Sequence, residues 1–408
     1  MEIMADLQIH SKYARATSKN ISIENLEKYA RMKGLDLLGV GDFQHPLRRK
    51  EIDEKLTEED DTGILRTASG FPFIWQTEVS LMYKQDDKRR AVHLLIFAPS
   101  KEVADQVTEF LGSRGRLDYD GRPIFGMTSP ELVEEMKKID DKIEIIPAHC
   151  MTPWFGLFGS KSGFDSLKEC FQEQARRVYA IESGMSADPS MLWRFKEVSE
   201  GINVVSFSDA HSFWPWRLGR EATIFDIPEL SYDNIIKAIR TGQELKATIE
   251  TPPEYGKYHW DGHRLCNFSC SPEETKELKG ICPVCKKPMV IGVDNRVEEI
   301  AEFPAGHKPQ NARPFYKLLP LHEVIALATD GRLESPKTWE IYNSMIKGLG
   351  NEMEILMKTS KEIMLGKSFD AKLVDLILKN REAKIKVAPG YDGEYGKAML
   401  GEKQGTLI

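Results

Sequence analysis

Residues 3–10, Ile-Met-Ala-Asp-Leu-Gln-Ile-His, place side chains that can bind metals directly after a short apolar run. Side chains alternate between the two faces of a strand, so Gln8 and His10 project from the same face of this segment. The same combination of an apolar run and a polar ending recurs along residues 1–250, with helical spacing between several of the runs. Alternating strands and helices are typical of parallel β/α proteins, and seven or eight strands in about 250 residues match a closed barrel.

The predicted strands share a short apolar or β-branched composition, and they cover residues 3–7, 37–40, 73–79, 92–98, 143–147, 178–181, 203–207 and 223–227. Helical spacing is found at residues 23–32, 129–138, 232–241, 318–329, 339–349, 352–365 and 369–379. Pro252-Pro253 ends the alternating pattern, and turn-forming residues dominate from there to residue 312. We therefore predict four parts: a barrel over residues 1–250, a four-cysteine module over 251–312, a helical region over 313–388 and a flexible tail over 389–408.

Composition excludes several classes of protein. Of the 408 residues, 41% are hydrophobic and 29% are charged, which is typical of folded domains and not of a disordered chain. No apolar run reaches the length of about 18 residues that a membrane span requires. The formal net charge of −7 excludes a basic field over the whole protein, so contacts with nucleic acid must rest on local patches. The first residues lack the features of a secretory signal, which predicts a cytoplasmic protein.

The ends of the predicted strands carry nine side chains with metal-binding atoms: Gln8, His10, Asp42, Glu78, His93, His149, Glu182, Asp209 and His211. In a barrel, residues at the carboxyl ends of the strands converge on one mouth. Histidines and carboxylates together suit divalent metals such as Zn, Mn or Fe. Nine ligands are more than one ion can use, so we expect two or three metals with Glu78 as a bridge. Closely spaced metals of this kind supply a hydroxide and neutralise a phosphoryl group during displacement.

This constellation resembles the polymerase-and-histidinol-phosphatase (PHP) family of metallohydrolases over residues 1–250. The resemblance implies a distorted seven-stranded β/α barrel with a trinuclear metal site that hydrolyses phosphoesters. Within the nine ligands it implies catalytic roles for His10, Glu78, Asp209 and His211. It also implies Zn²⁺ in the barrel, with Mg²⁺ or Mn²⁺ as alternative ions for catalysis.

Two positions depart from the usual pattern of the PHP family. Gln8 stands where the family has the first histidine of a His-x-His motif, and Phe43 stands where it has the histidine of an Asp-His pair. Gln8 offers only a neutral amide oxygen and Phe43 cannot bind a metal, which predicts a weakened or missing third metal. His45 is an alternative ligand for that position.

A second metal site is predicted from four closely spaced cysteines: Cys266, Cys270, Cys282 and Cys285. The two pairs are separated by eleven residues, and four thiolates close a tetrahedral structural zinc site. His259 and His263 lie nearby but are not needed by a site with four thiolates. Cys150 and Cys170 stand alone in the sequence and are predicted to be packing residues.

Two segments after the third and fourth predicted histidine ligands combine aromatic and basic side chains: Trp154, Phe155, Lys161, Trp214, Trp216, Arg217 and Arg220. Aromatic rings beside cations can stack on a base while neutralising its phosphate, which predicts a DNA-binding surface at the mouth. The alternative is that these rings pack beneath their own loops. In the tail, Gln404 and Leu407 resemble the start of a sliding-clamp-binding peptide, and a chance match is the alternative.

A PHP barrel joined to a four-cysteine module and a helical region resembles a DNA repair nuclease branch of this family, found in archaea and some bacteria. The resemblance implies hydrolysis of the phosphodiester 5′ of deaminated bases (uracil, hypoxanthine, xanthine) and of abasic sites, in double- and single-stranded DNA. It implies attack by a metal-bound hydroxide after the damaged nucleotide is flipped out, in a nucleoid-associated protein. The Gln8 and Phe43 departures would then belong to this branch.

Two other functions are compatible with the sequence. A small-molecule phosphatase of the histidinol-phosphatase type would need the barrel but neither the cysteine module nor the helical region. A catalytically degenerate scaffold that binds DNA would explain Gln8 and Phe43. Metal content separates these possibilities, because a scaffold would hold no metal beyond the thiolate-bound zinc.

Overall fold

A mixed α/β fold with a central sheet occupies the first 250 residues in the computed structural model, which describes residues 1–400. The strands of this part are β1 (Glu2–Asp6), β2 (Leu37–Gly39), β3 (Thr57–Glu58), β4 (Ile64–Arg66), β5 (Pro72–Gln85), β6 (Lys88–Ala98), β7 (Ile124–Phe125), β8 (Glu144–Pro147), β9 (Ala180–Glu182), β10 (Asn203–Val205), β11 (Ala222–Asp226) and β12 (Leu245–Glu250). Eight of them overlap the predicted runs. The short strands β3, β4 and β7 and the strand β12 were not predicted.

The sheet is mixed and not parallel throughout. Strands β1, β2 and β5 are parallel neighbours, whereas β5–β6–β8 and β1–β11–β12 are antiparallel ladders. Strands β9 and β10 form a separate parallel pair. Within residues 1–400 no hydrogen-bonded ladder joins β8 to β9, so closure into a seven-stranded barrel stays a prediction.

Helices cover the sheet, and six of the eight begin after a residue whose side chain caps them. They are α1 (Ile23–Lys33), α2 (Pro46–Lys55), α3 (Lys101–Arg114), α4 (Ser129–Ile139), α5 (Leu167–Phe171), α6 (Pro189–Leu192), α7 (Lys196–Glu200) and α8 (Tyr232–Thr241), with short 3-10 turns at Gln172–Arg177 and Gly184–Ser186. In α1 the Ser22 hydroxyl accepts a hydrogen bond from the Asn25 amide, and Gly34 ends the helix in the left-handed region. Among residues 1–400 no helix is long and apolar enough to cross a membrane.

The chain beyond residue 250 adds a small cysteine-rich part and a helical part. Its elements are the 3-10 turns Pro253–Tyr255 and Arg264–Cys266, β13 (Asp261–His263), β14 (Phe268–Cys270), α9 (Pro272–Glu277), α10 (Val293–Ile300), β15 (Phe315–Lys317), α11 (Leu321–Thr329), α12 (Pro336–Leu349), α13 (Glu352–Met357), α14 (Lys361–Gly366), α15 (Ala371–Arg381), β16 (Lys386–Ala388) and β17 (Lys397–Met399). Strand β15 pairs with β12, so the central sheet includes a strand from the predicted helical region.

Two segments differ from their predicted structure. The helix predicted over residues 352–365 is two helices, α13 and α14, because the Ser360 hydroxyl accepts the Ile363 amide and begins a new helix. Residues 389–399, predicted as part of a flexible tail, belong to the hairpin of β16 and β17. The Trp260 amide donates to the Gly390 carbonyl at 3.0 Å, and this backbone contact ties the hairpin to the cysteine-rich part.

A buried ion pair joins the sheet part to the helical part. The Lys33 ammonium lies 2.7 Å from Glu352 Oε1 and donates to the Pro215 carbonyl at 2.6 Å. Glu352 also accepts the Leu321 amide and the Tyr342 hydroxyl. All four hydrogen bonds converge on two charges that water does not reach, so each charge depends on its partner.

Replacing Glu352 by alanine is therefore expected to lower the free energy of unfolding by about 3–5 kcal/mol, because it leaves the Lys33 ammonium buried without a counter-charge. Chemical denaturation followed by circular dichroism measures this change. Lys361→Ala, which breaks the exposed pair with Asp375, is the control and should leave the midpoint unchanged. Equal midpoints for the two variants would show that the buried pair does not hold the two parts together.

Candidate active site

Three of the predicted ligands have backbone torsion angles that residues other than glycine rarely adopt. Asp42, His149 and Asp209 have φ angles of 55°, 33° and 47°, in the left-handed region. An isolated parallel bridge between Ile9 and Ala210 brings the end of β1 beside the end of β10. Left-handed backbone outside glycine costs about 1–3 kcal/mol per residue and clusters at functional sites. Together these features turn side chains from separate strands toward one point.

Glu78 of β5 lies where these side chains converge. Its Oε2 atom is 3.0 Å from His10 Nε2, and its Oε1 atom is 2.7 Å from His93 Nδ1 and 3.3 Å from His149 Nε2. His10 Nε2 is also 3.2 Å from Asp209 Oδ1. The two oxygens of one buried carboxylate therefore face two separate sets of ligand atoms, which is the geometry of a bridging ligand.

The ligand atoms form two groups that fit divalent metals. One group is His10, Asp209 and His211, and the other is Glu78, His93 and His149; within each group all the offered atoms lie within 4.8 Å of one another. His10 Nε2 and Asp209 Oδ1 are buried and lie 3.2 Å apart, but neither atom makes a hydrogen bond of good geometry among the described residues. Unpaired buried polar atoms are costly, so atoms aimed at one space in this way suit a cation.

Two groups at the centre have ionisation states suited to metal binding, whereas neighbouring carboxylates, acting against burial, raise the pKa of His10 and of His149. Burial acts to raise the pKa of Glu78, but the Arg122 guanidinium and hydrogen bonds from His10 and His149 outweigh it and hold the pKa well below its usual value. Burial lowers the pKa of His93 to about 3, against the attraction of Glu78. Glu78 is therefore an anion and His93 a neutral imidazole at physiological pH, which are the forms that bind metals.

Two of the nine predicted ligands engage their carboxylate oxygens in hydrogen bonds, whereas the amide oxygen of Gln8 has no hydrogen-bond partner among the described residues. Asp42 accepts His10 Nδ1 at 2.9 Å with one oxygen, and the Ser11 amide and hydroxyl at 2.6 Å with the other. Glu182 accepts the backbone amides of His149, Gly184 and Phe207, and burial raises its pKa to about 8. Gln8 donates to Glu78 at 3.0 Å, although its Oε1 atom is buried and unpaired.

His45, the alternative ligand, is not part of either group. Its ring stacks on Tyr13 at 4.7 Å, and its Nδ1 atom has no hydrogen-bond partner in residues 1–400. Its burial lowers the pKa, which keeps the imidazole neutral. Phe43 is buried in the core, as its side chain requires.

A cavity of about 670 Å³ opens above the metal-binding groups. Four of the predicted DNA-binding residues line it: Trp154, Phe155, Arg217 and Arg220. The Phe155 ring stacks on His93 at 4.4 Å, and the Trp154 ring meets Tyr258 edge-on at 5.5 Å. The volume is in the range of small-ligand sites, and its wall combines rings and cations.

The other three predicted DNA-binding residues do not line the cavity. Trp216 is only 4% exposed, and its ring packs against Trp214, His322 and Trp339 at 4.9–5.7 Å. Trp214 joins the same aromatic cluster, which lies between the sheet part and α12. These two rings therefore pack against residues more than a hundred positions away in the sequence, and not at the cavity where stacking on DNA was predicted. Lys161 is exposed outside the cavity.

Sequence patterns missed four residues that line this cavity: Arg122, Lys257, Tyr258 and Tyr395. Arg122 Nη1 lies 3.5 Å from Glu78 Oε1, so a guanidinium sits beside the metal ligands. Tyr395 comes from the β16–β17 hairpin, with the Lys257 ammonium 4.6 Å from its ring centre. None of these residues ends a predicted strand or belongs to a motif, so only the tertiary structure reveals them.

The cysteine-rich part brings His263 beside three of the four predicted cysteine ligands. The residues that lie within 4.8 Å of one another are His263, Cys266, Cys282 and Cys285. The Cys270 thiol instead lies 3.2 Å from the Thr275 hydroxyl and 4.0 Å from Met289 Sδ. Three thiols with one imidazole fit a tetrahedral structural metal site, and Cys270 packs in the same cluster as the other three cysteines, so the site of four cysteines stays a prediction. The repeated spacing His-x2-Cys and Cys-x2-Cys was the available signal.

Parts of the chain are similar in sequence to known proteins. A family described as the MJ0043 C-terminal domain matches residues 320–384. The uncharacterized protein MJ0043 of Methanocaldococcus jannaschii is 33% identical over 254 residues, which are 61% of this chain and 31% of that protein. This chain therefore spans about a third of the length of that curated relative.

Two solved structures match almost the whole chain. The lesion-specific endonuclease PfuEndoQ of Pyrococcus furiosus is 30% identical, with a TM-score of 0.87 over 99% of this chain and 96% of that one. Endonuclease Q in complex with a 27-mer duplex substrate, with an abasic lesion at the active site, is 30% identical with a TM-score of 0.88, over 99% and 98% of the two chains. Fold and site thus define an α/β protein with metal-binding groups at the floor of a cavity. The chain belongs to the endonuclease Q family.

Proposed function

We propose that this protein is a metal-dependent DNA repair endonuclease. It hydrolyses the phosphodiester 5′ of deaminated bases (uracil, hypoxanthine and xanthine) and of abasic sites, and it works in the cytoplasm beside the nucleoid. The observation that carries the proposal is Glu78, whose two oxygens face two groups of ligand atoms at the floor of an open cavity. The match over 99% of the chain to an endonuclease Q bound to damaged duplex DNA supports the substrate.

The two groups around Glu78 would hold two divalent metals, which supply the nucleophile and neutralise charge on the phosphoryl group. Asp42 holds the His10 ring by accepting a hydrogen bond from its Nδ1 atom, so that Nε2 faces the metal position. Thr152 does the same for His149, with its hydroxyl 3.0 Å from Nδ1. Asp42 thus orients a ligand in place of binding metal itself, and Glu182 fixes the loop that carries His149.

The cavity above the metals would receive the damaged nucleotide after it leaves the duplex. Trp154, Phe155 and Tyr258 offer rings on which an extruded base can stack. Arg217 and Lys257 stand beside Tyr395 and would neutralise neighbouring phosphates. Damaged pairs are weakly held, so extrusion itself contributes to the choice of substrate.

Arg122 stabilises charge on the scissile phosphate in this mechanism. Its guanidinium is partly buried, lines the cavity and lies beside Glu78, so a phosphate above the metals would come within its reach. Guanidinium groups bind phosphate oxygens through paired hydrogen bonds. A cation already in place needs little rearrangement as charge develops on the phosphate.

Replacing Arg122 by lysine is expected to lower the single-turnover rate of cleavage by about 100-fold, because the paired hydrogen bonds to phosphate are lost. Metal content and the Kd for damaged duplex should change by less than about threefold. Arg116→Lys, an exposed arginine on the same loop, is the matched control and should cleave normally. A normal rate for Arg122→Lys would exclude Arg122 from the reaction.

The substrate class is tested with end-labelled duplexes that carry one uracil, one hypoxanthine, one xanthine or one abasic site, beside an undamaged duplex. With Mg²⁺ or Mn²⁺ we expect cleavage of each damaged duplex and none of the undamaged one. Release of phosphate from a small phosphomonoester without any strand cleavage would instead identify a phosphatase. Failure of both reactions would favour a scaffold that binds DNA.

A further inference from the structure

Two apolar side chains of the cysteine-rich part project into solvent. Leu265 is 87% exposed and Val284 is 65% exposed, the two highest values among the large hydrophobic residues of chain positions 1–400. A single exposed apolar residue is ordinary on a protein surface. These two, however, directly precede Cys266 and Cys285, whose thiols belong to one group of metal-binding atoms. Leu265 and Val284 thus sit on the two turns that one metal site would hold together.

The turn that carries Leu265 is fixed at both of its ends. The Arg264 amide donates to Asp392 Oδ2 at 2.7 Å, and the Asn267 amide donates to the Arg264 carbonyl at 2.9 Å. Asn267 ends the turn in the left-handed region, with φ of 49°. A side chain displayed on a preformed turn loses little freedom when a partner binds it.

This turn lies at the rim of the active-site cavity. Gly393 separates it from the cavity wall: a Cβ atom at that glycine would lie 3.4 Å from Arg264 Nη1 and 3.9 Å from the Tyr258 hydroxyl. Tyr258 lines the cavity together with Trp154. Leu265 therefore follows Arg264, a residue whose guanidinium lies close to the cavity wall at Tyr258.

The charged side chains around Leu265 and Val284 favour binding of a polyanion. Arg264, Lys286 and Lys287 are exposed beside Leu265 and Val284. The carboxylates nearby are engaged with the turn itself, since Asp392 accepts the Arg264 amide and Glu394 lies 3.9 Å from the Arg264 guanidinium. An apolar tip bordered by cations is the combination with which proteins enter the base stack of a duplex while holding its phosphates.

We propose that Leu265 is a wedge that enters the base stack of duplex DNA beside the lesion and fills the space left by the extruded nucleotide. Val284 supports it from the neighbouring turn, and Arg264 with Lys286 and Lys287 holds the flanking phosphates. The inference deepens the proposed endonuclease function and rests on it. A wedge is needed only where a base must leave a stack, so it matters for duplex DNA and not for a single strand.

The test compares Leu265→Ala with the wild-type protein on one lesion strand, presented as a duplex and as a single strand. We expect duplex cleavage to fall by about tenfold or more and single-strand cleavage to stay within about twofold. Leu265→Met should restore duplex cleavage, because it returns the apolar volume. Met82→Ala, which removes a 47% exposed apolar side chain from β5, is the matched control and should cleave both forms normally.

A second readout follows the base stack directly. With 2-aminopurine next to the abasic site, binding of the wild-type protein should raise the fluorescence, and binding of Leu265→Ala should raise it less. If Leu265→Ala leaves duplex cleavage unchanged, or lowers cleavage of both forms equally, the wedge proposal is wrong and the proposed nuclease function still stands. A wild-type protein that cuts neither form would refute the proposed function and the wedge with it.

Discussion

Replacing Glu78 by glutamine is expected to lower the single-turnover rate of cleavage by about a thousandfold or more. The substitution keeps the size of the side chain but removes the charge that faces both groups of ligand atoms, His10 with Asp209 and His93 with His149. Two metals that share one carboxylate should be lost together. Elemental analysis of the purified variant should therefore find the site around Glu78 depleted, with the metal of the cysteine-rich part retained.

Asp42→Asn is the matched comparison for this prediction. Asp42 holds the His10 ring and has no oxygen free for a metal, so its loss should cost only about 10–100-fold in rate or metal affinity. Two results would contradict the assignment. One is a Glu78→Gln protein that keeps both metals and cleaves normally. The other is an Asp42→Asn protein that loses metal as completely as Glu78→Gln does, which would make Asp42 a ligand.

Replacing His263 by alanine is expected to release the structural metal, whereas Cys270→Ser is expected to retain it. His263 Nδ1 lies 3.5 Å from Cys285 Sγ within the group of four, and the Cys270 thiol is turned toward Thr275 and Met289. A four-coordinate zinc site that loses one ligand should bind its metal at least about a hundredfold more weakly, and a small segment without its metal unfolds.

Competition with a zinc-binding dye measures this difference, and limited proteolysis reports the unfolding of residues 251–312. The same two proteins should differ in cleavage of duplex DNA, because the metal holds the turn that carries Leu265. If Cys270→Ser releases zinc and His263→Ala retains it, the ligands are the four cysteines that the spacing predicts.

The sequence predicts which strand ends meet but not how each side chain is used there. His10 and Asp209 were identifiable because each follows an apolar run and strand ends converge, and Glu78 because it is a carboxylate within an apolar run. Asp42 and Glu182 also follow or end predicted strands, yet their oxygens accept hydrogen bonds from His10 and from backbone amides. That difference depends on the orientation of a side chain, which spacing along a strand does not determine.

Residues brought in from distant parts of the chain were the hardest to predict. Trp216 has the composition of a DNA-contacting loop, but Trp339 and His322 cover it from the helical region. Arg122 and Tyr395 line the cavity from a loop and a hairpin with no recognisable motif. Gln404 and Leu407, the predicted clamp-binding residues, lie outside the described residues 1–400, so that hypothesis stays a prediction.

The central claim is that the metal groups around Glu78 cut DNA next to damage, and mapping the cut tests it most directly. The substrate is a duplex with one abasic site, labelled on each strand in turn, with Mg²⁺ or Mn²⁺ and with a chelator as the control. We predict a single break immediately 5′ of the abasic site, on the damaged strand alone, which leaves a 3′-hydroxyl and is abolished by Glu78→Gln. Breaks at undamaged positions, breaks that persist in Glu78→Gln, or an intact duplex would contradict the account.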